Sequence, residues 1–262
     1  MEKSLFSRMW DKMQGDGYFA RHPHYQDHFG AELSREDRAL DSAVLQLDFS
    51  QTHVEMPVPY SDALERSVKR TEAQWLGRMF ALPETGTVLD VGCGFGRSVS
   101  WFADRFPQVI GTDISATVLD SARERLKERP NVRPNVRLLV NESDTLPAEI
   151  AEASIALAYV FTVFQHIPRE FTANLLRGIT RVLADDGVVI FNLLTNVNEA
   201  VNTGDSETEW AIGYSPAQAE ALLADSGLSA IRMCTWSTPG SDAGWLWVTA
   251  GRQAGRQARQ AG

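Results

Sequence analysis

The residues best suited to chemistry lie in one run. An apolar stretch, Thr87–Val91, leads into Gly92-Cys93-Gly94-Phe95-Gly96 and then into a helical pattern that opens at Arg97. Glycines at such positions let the backbone turn sharply and approach a ligand that any side chain would hold off. A strand, loop and helix joined in this way at the carboxyl edge of a parallel sheet make a site for nucleotide-like ligands. The spacing narrows the choice. Counted from Gly92 the sixth position is Arg97, so the dinucleotide pattern G-x-G-x-x-G fails at its third glycine and G-x-G-x-G stands instead. Asp113 follows Gly92 by twenty-one residues at the end of the next apolar run. A carboxylate there can accept both hydroxyls of a ribose.

Other residues invite chemistry with less support. His24 and His28 are one helical turn apart and His22 is close by, but no fourth ligand stands at a supporting spacing, so no metal site is expected. Trp10, Tyr18, Phe19, Tyr25 and Phe29 in the same region read either as a cap that closes over a substrate, with Tyr18, Phe19 and Tyr25 touching it, or as aromatic packing. His166, in the phrase QHIP, is a candidate general base because an imidazole titrates near neutrality. The favoured reading is structural, a bond to the backbone where a strand turns into a helix. Cys93 and Cys234 are too few for a disulfide framework and read as buried or loop thiols.

The elements that must position these residues alternate. Short apolar strands are predicted at Thr87–Val91, Val109–Thr112, Val136–Val140, Ile155–Phe161 and Val188–Leu194, with helices at Arg97–Arg105, Ala116–Arg129 and Pro168–Leu183 between them. Such alternation implies a parallel sheet. Ser215-Pro216 reads as a cap followed by proline at the first helical position. Leu228–Trp236 and Trp245–Ala250 are separated by too short a stretch for a helical crossover, so they should pair antiparallel at one edge. Ahead of the sheet, Ser61 to Leu82 carries a helical pattern, with Leu64, Val68, Trp75, Leu76 and Met79 on one face.

Three segments result: an N-terminal extension of short helices and loops over 1–60, a ligand-binding α/β domain over 61–250, and a low-complexity Arg/Gln/Ala/Gly tail over 251–262 expected to be disordered. The loop at 199–210 follows the fifth strand and is expected on the ligand side as a substrate wall. With 262 residues, 44% of them hydrophobic and 23% charged, a sizeable core is expected. No apolar run reaches the length needed to span a bilayer, and the first residues lack the apolar stretch of a secretory signal, so the expected location is cytoplasmic. The formal charge is −9, and removing the three arginines of the tail takes it to −12. Nucleic acid is a poor partner for such a surface.

From Thr87 to Leu194 the chain resembles the class I S-adenosylmethionine-dependent methyltransferases, in particular bacterial members of small-molecule type. Five phrases in order carry the resemblance: VLDVGCGFGRS, GTDIS, NESDTLP, FTVFQHIPRE and RVLADDGVVIFNL. It implies a Rossmann-like methyltransferase fold with a mostly parallel sheet and an antiparallel edge strand, plus the N-terminal helical extension. It implies S-adenosyl-L-methionine as cofactor. Asp90 would lie near the cofactor's ammonium, and Gly92, Cys93, Gly94 and Gly96 would hold its methionine end. Asp113 would take the ribose, Ile114 would lie against adenine, and Glu142 with Ser143 would stand near the adenine amino group. Tyr159 and Val160 would flank the methionine moiety near the sulfonium. The sequence departs from the family at Ala156, where an Asp commonly opens the fourth strand, and the clustered acidic ligands of metal-dependent members are missing.

Metal-independent methyl transfer to a small-molecule acceptor is the reading that follows, in a chain of unknown oligomeric state with no membrane or nucleic-acid partner. A protein or peptide methyltransferase and a non-catalytic S-adenosylmethionine-binding partner subunit remain open beside it. A nicotinamide oxidoreductase is disfavoured by the missing third glycine.

Overall fold

A parallel sheet whose strands are apolar throughout must be covered on both faces. The computed structural model describes residues 51–55, 82–127, 135–195, 212–237 and 244–253. Within them lie eight strands: β1 (His53–Glu55), β2 (Thr87–Val91), β3 (Gln108–Asp113), β4 (Val136–Val140), β5 (Ile155–Val160), β6 (Leu183–Thr195), β7 (Leu228–Ser237) and β8 (Gly244–Arg252). The helices are α1 (Arg97–Ala103), α2 (Ala116–Lys127), α3 (Arg169–Val182) and α4 (Pro216–Asp225), with a single 3₁₀ turn at Phe164–His166. One sheet runs in the order β1-β7-β8-β6-β5-β2-β3-β4. Neighbours pair parallel from β4 to β6, and again for β1 on β7, whereas β8 is antiparallel to both β6 and β7.

The two faces are visible residue by residue in β2. Val88 joins Phe102 of α1, Leu119 of α2 and Tyr159 in one core. Leu89, its neighbour, joins Leu176 and Ile179 of α3 and Leu223 of α4 in the other. This is the period of two that a strand imposes. Helix α3 answers with Thr172, Leu175, Leu176, Ile179 and Val182 buried at spacings of three and four. Helix α4 starts on a reciprocal cap: Gln218 N–H donates to Ser215 Oγ at 3.2 Å and Ser215 N–H donates to Gln218 Oε1 at 2.8 Å, with Pro216 at the first helical position.

The antiparallel pair β7–β8 stands at the expected end of the sheet, and β1 adds outside it, matching His53 to Met233 and Glu55 to Thr235. Three residues in a region without period carried no strand signal. The helical pattern as far as residue 81, the extension apart from 51–55, the loop at 199–210 and the last nine residues lie outside the described residues. No described helix is long and apolar enough to cross a membrane.

The last strand runs two residues into the segment read as tail. Arg252 ends it, and its guanidinium donates to the Thr180 carbonyl at 2.7 and 3.0 Å and to the Arg181 carbonyl at 3.1 Å. Those carbonyls belong to the final turn of α3, which has no intrahelical donors left for them. A cation at this end also suits the helix dipole. Arg252→Ala is expected to lower unfolding free energy by about 1.5–3 kcal/mol, the range for bonds to a charged group, as read from urea denaturation. An unchanged midpoint would mean that the latch contributes nothing.

Candidate functional site

The chain leaves β2 toward β3 and β4 on one side and returns to β5 and β6 on the other, so the sheet reverses its winding between β2 and β5. Ligands of open α/β sheets bind at the carboxyl ends of the strands beside such a reversal. A cavity of about 210 Å³ lies there. Its walls come from the loop after β2, the ends of β3 and β4, and the segment after β5.

The loop after β2 is shaped by three left-handed glycines: Gly92, Gly94 and Gly96 have φ of 74°, 52° and 75°. It is tied to β3 by the Gly92 and Cys93 N–H groups, which donate to the Thr112 carbonyl at 2.8 and 2.9 Å. Each glycine serves a different end. A Cβ at Gly92 would sit 2.3 Å from Val163 Cγ2, so this position admits no side chain while Val163 stays. A Cβ at Gly94 would meet nothing within 4 Å, on a residue of the cavity wall. The left-handed φ favours glycine there, and the space beside it opens into the cavity. Gly111 on β3 is equally constrained, since a Cβ there would approach Cys93 Sγ and Val99 Cγ2 to 2.9 Å.

Asp113 ends β3 at the cavity. Its Oδ2 accepts from Gly94 N–H at 2.9 Å and its Oδ1 from Ser115 N–H at 3.0 Å, so both oxygens are held by backbone. A carboxylate offers about four acceptor positions, and two amide bonds orient it without exhausting it. The Asp113 carbonyl accepts from Asn141 N–H at 2.8 Å, which carries the constraint on to the end of β4. There Glu142, Ser143 and Asp144 line the cavity, and Asn174 of α3 donates to Asp144 at 2.6 Å.

The structure brings Asp90, Gly92, Cys93, Gly94, Gly96, Asp113, Ile114, Glu142, Ser143 and His166 to this one cavity. It does not bring Tyr159 and Val160. Both are fully buried: Val160 packs in the core under α3, and Tyr159 stands edge-on to Phe102 of α1, ring centroids 5.3 Å apart. The wall after β5 is formed instead by Phe161, Thr162 and Val163. Phe161 shares a face with Tyr159 by the period of two but lies beyond the strand's end, and their rings stack at 6.1 Å. The substituted position Ala156 lies at the opposite end of β5, its Cβ against Gly86. Tyr18, Phe19, Tyr25 and the three N-terminal histidines lie outside the described residues.

Thr162 is the residue that sequence reasoning had no means of finding. It has φ +54°, a left-handed conformation that costs a non-glycine residue about 1 kcal/mol or more. Asn192 of β6 holds it there: its Oδ1, on a residue 1% exposed, accepts from Thr162 N–H at 2.7 Å. The 3₁₀ turn follows at once, with His166 N–H donating to the Val163 carbonyl at 2.9 Å. Ile212 N–H then donates to the Gln165 carbonyl at 2.9 Å, so the chain returns from 196–211 directly beside His166.

Cys93 lines the cavity without being a nucleophile. Burial pushes its thiol well above the ordinary value, and the negative charges of Asp90 and Asp113 push it further the same way. Its thiol therefore stays protonated through the neutral range. Cys234 on β7 is pushed up to about 12 by burial. Among the described residues no three His, Cys, Asp or Glu side chains converge on one point.

Residues 88–187 match the family described as "Methyltransferase domain". The chain is 37% identical over 116 residues to a trans-aconitate 2-methyltransferase of Variovorax paradoxus, covering 44% of each. It is 32% identical over 146 residues to the protein of that name from Azoarcus sp., covering 54% of this chain and 53% of that one. The matches span about half the length of these curated relatives. Among solved structures, magnesium protoporphyrin IX methyltransferase of Synechocystis with bound S-adenosylhomocysteine superposes with a TM-score of 0.59 at 17% identity, over 93% of this chain and 97% of that one. Geranyl diphosphate C-methyltransferase of Streptomyces coelicolor does so with 0.57 at 16% identity, over 85% and 99%. At these identities the likeness is one of fold.

The three glycines and Asn192 make separable demands. Gly92→Ala adds a clash with Val163 to an unfavourable φ and is expected to lower the urea midpoint well below that of Gly94→Ala, which carries the backbone cost of about 1–2 kcal/mol alone. Gly94→Ala, though folded, should lose S-adenosylhomocysteine binding in a titration. Asn192→Ala should cost about 1–3 kcal/mol by stranding the Thr162 N–H, and Thr162→Gly should restore part of that loss in the same background. No rescue by glycine would mean that φ at 162 stores no strain.

Proposed function

We propose that this chain, whose residues 88–187 match a methyltransferase-domain family, is a class I S-adenosylmethionine-dependent methyltransferase that transfers a methyl group from that cofactor to a small organic acid. The observation that carries the cofactor half is the cavity at the sheet's reversal. Its glycine loop leaves open space at Gly94, and its Asp113 carboxylate is already oriented by two backbone amides. These residues fit the cofactor. Asp113 takes the ribose hydroxyls, and Ile114 with Glu142 and Ser143 forms the adenine side. Asp90, 2% exposed, meets the ammonium, and the Gly92–Gly96 backbone lies along the methionine chain. Phe161 and Thr162 take the place at the reacting end where Tyr159 and Val160 were expected.

S-adenosylmethionine, when bound, supplies an electrophilic methyl carbon whose leaving group is a neutral thioether. The chain has no acid to provide. Its work is to hold an acceptor in line, about 3–3.5 Å from that carbon, and to keep water out. The closed backbone of the loops after β2 and β5 serves the first need, and the apolar residues Val163, Ile167 and Phe171 of the wall serve the second.

The acceptor half is supported by the similarity over 116 and 146 residues to trans-aconitate 2-methyltransferases, since trans-aconitate carries carboxylates. A carboxylate is an anion at neutral pH and needs no deprotonation before it attacks. His166 is then a wall residue at the acceptor end, fixed by the turn it sits in. An alcohol acceptor would reverse this and make it the base.

A titration with S-adenosylhomocysteine is expected to raise stability by about 2.7 kcal/mol at one hundred times its dissociation constant, and Asp113→Ala should weaken that affinity at least tenfold. Incubation with S-adenosylmethionine and small organic acids should release S-adenosylhomocysteine, with a rate insensitive to pH through the imidazole range. Stabilisation by NAD and not by the adenosyl ligands would sink the reading.

A further inference from the structure

The cavity is acidic on most sides. Asp90, Asp113, Glu142 and Asp144 line it, and among the described residues Arg97 and Arg125 are the cations set against them. The two arginines hold different places. Arg125, on α2, lies over the ring of Phe95, 5.0 Å from its centroid. Arg97 opens α1 and lies over Phe161, 5.7 Å from the centroid, at the wall that also carries Thr162, Val163 and His166. Phe161 is itself held in place. Its ring stacks on Tyr159 with 10° between the planes, and the Trp247 ring of β8 lies 5.5 Å from it, centroid to centroid.

A guanidinium laid on an aromatic face keeps its donors in its own plane, the arrangement that meets both oxygens of a carboxylate. A lysine would supply charge without that fork. An organic anion entering an acidic cavity also needs a cation to offset the repulsion of the carboxylates around it. We propose that Arg97, laid on Phe161, is the carboxylate-binding group on the acceptor side of the cavity and selects small organic anions as acceptors. This rests on the methyl-transfer reading and adds the residue that enforces it. The specificity is charge first and shape second, because Arg97 brings a fixed charge to a wall whose other residues, Thr162, Val163, His166 and Ile167 among them, carry none of comparable permanence.

The cofactor carries a carboxylate of its own, so the test must separate two sources of one chemistry. Isothermal titration of the wild type, Arg97→Lys and Arg97→Gln is made first with S-adenosylhomocysteine. Acetate, succinate, trans-aconitate and the neutral trimethyl ester of trans-aconitate then follow, each on the S-adenosylhomocysteine complex. The expected result is near-equal S-adenosylhomocysteine affinity in all three proteins, which also shows that the variants are folded. At least one acid should bind the wild-type complex and lose on the order of tenfold to a hundredfold in Arg97→Gln and less in Arg97→Lys, while the triester shows no such difference. Equal binding of the acids by Arg97→Gln overturns the proposal. So does a loss of S-adenosylhomocysteine affinity in that variant, which assigns the guanidinium to the cofactor, or an absence of binding by every acid. A wild type that fails to bind S-adenosylhomocysteine is a separate result: it removes the methyl-transfer reading itself.

Discussion

The site depends on one set of hydrogen bonds, those that fasten the loop after β2 onto β3. Gly92 and Cys93 give their N–H groups to one carbonyl, and Gly94 gives its own to the Asp113 carboxylate. A loop of left-handed residues has no ladder to lie in, and its amides would otherwise face a cavity wall without partners. The clamp solves that and fixes two things together: where the backbone runs, and which way the carboxylate points. From Asp113 the restraint passes to Asn141 and the end of β4, and from Asp144 to Asn174 of α3. The walls on the β3 and β4 side are therefore one hydrogen-bonded unit.

The other wall is built differently. After β5 the order comes from packing and from one buried amide. Phe102, Tyr159, Phe161 and Trp247 form a chain of rings from α1 across the end of the sheet to β8. Asn192 reaches across from β6 to hold Thr162 in a conformation that it would not choose alone. One half of the cavity is thus specified by backbone and is indifferent to most side chains, while the other is specified by the side chains themselves.

The legible parts of the sequence were those where a short-range rule decides. β2 and β4 stand where their apolar runs place them, Ser215-Pro216 caps α4, and the G-x-G-x-G loop with Asp113 falls at the sheet's reversal. Tyr159 was read two residues off the wall because an apolar run does not say at which residue a strand stops and a turn begins. Thr162 gives no hint of a positive φ, since what holds it is an asparagine thirty residues away. β1 is three residues whose pairing with β7 is decided by an exposed edge and not by their own pattern. Arg252 is in sequence the first arginine of a repetitive tail, and nothing in the repeat signals the open carbonyls of α3 that it meets.

The contact between Gly92 and Val163 reaches beyond its role in packing. The two loops that meet there are far apart in sequence, yet each fills the space the other would need. Any drift that enlarges residue 163 must push on a backbone that cannot yield without disturbing the clamp to β3. Change in this wall is therefore channelled to the residues after the 3₁₀ turn, Ile167 and Phe171 among them, which line the cavity outside that contact. Gly92 and Val163 thus constrain one another as a matched pair, and a larger residue at position 92 is expected to need a smaller one at position 163.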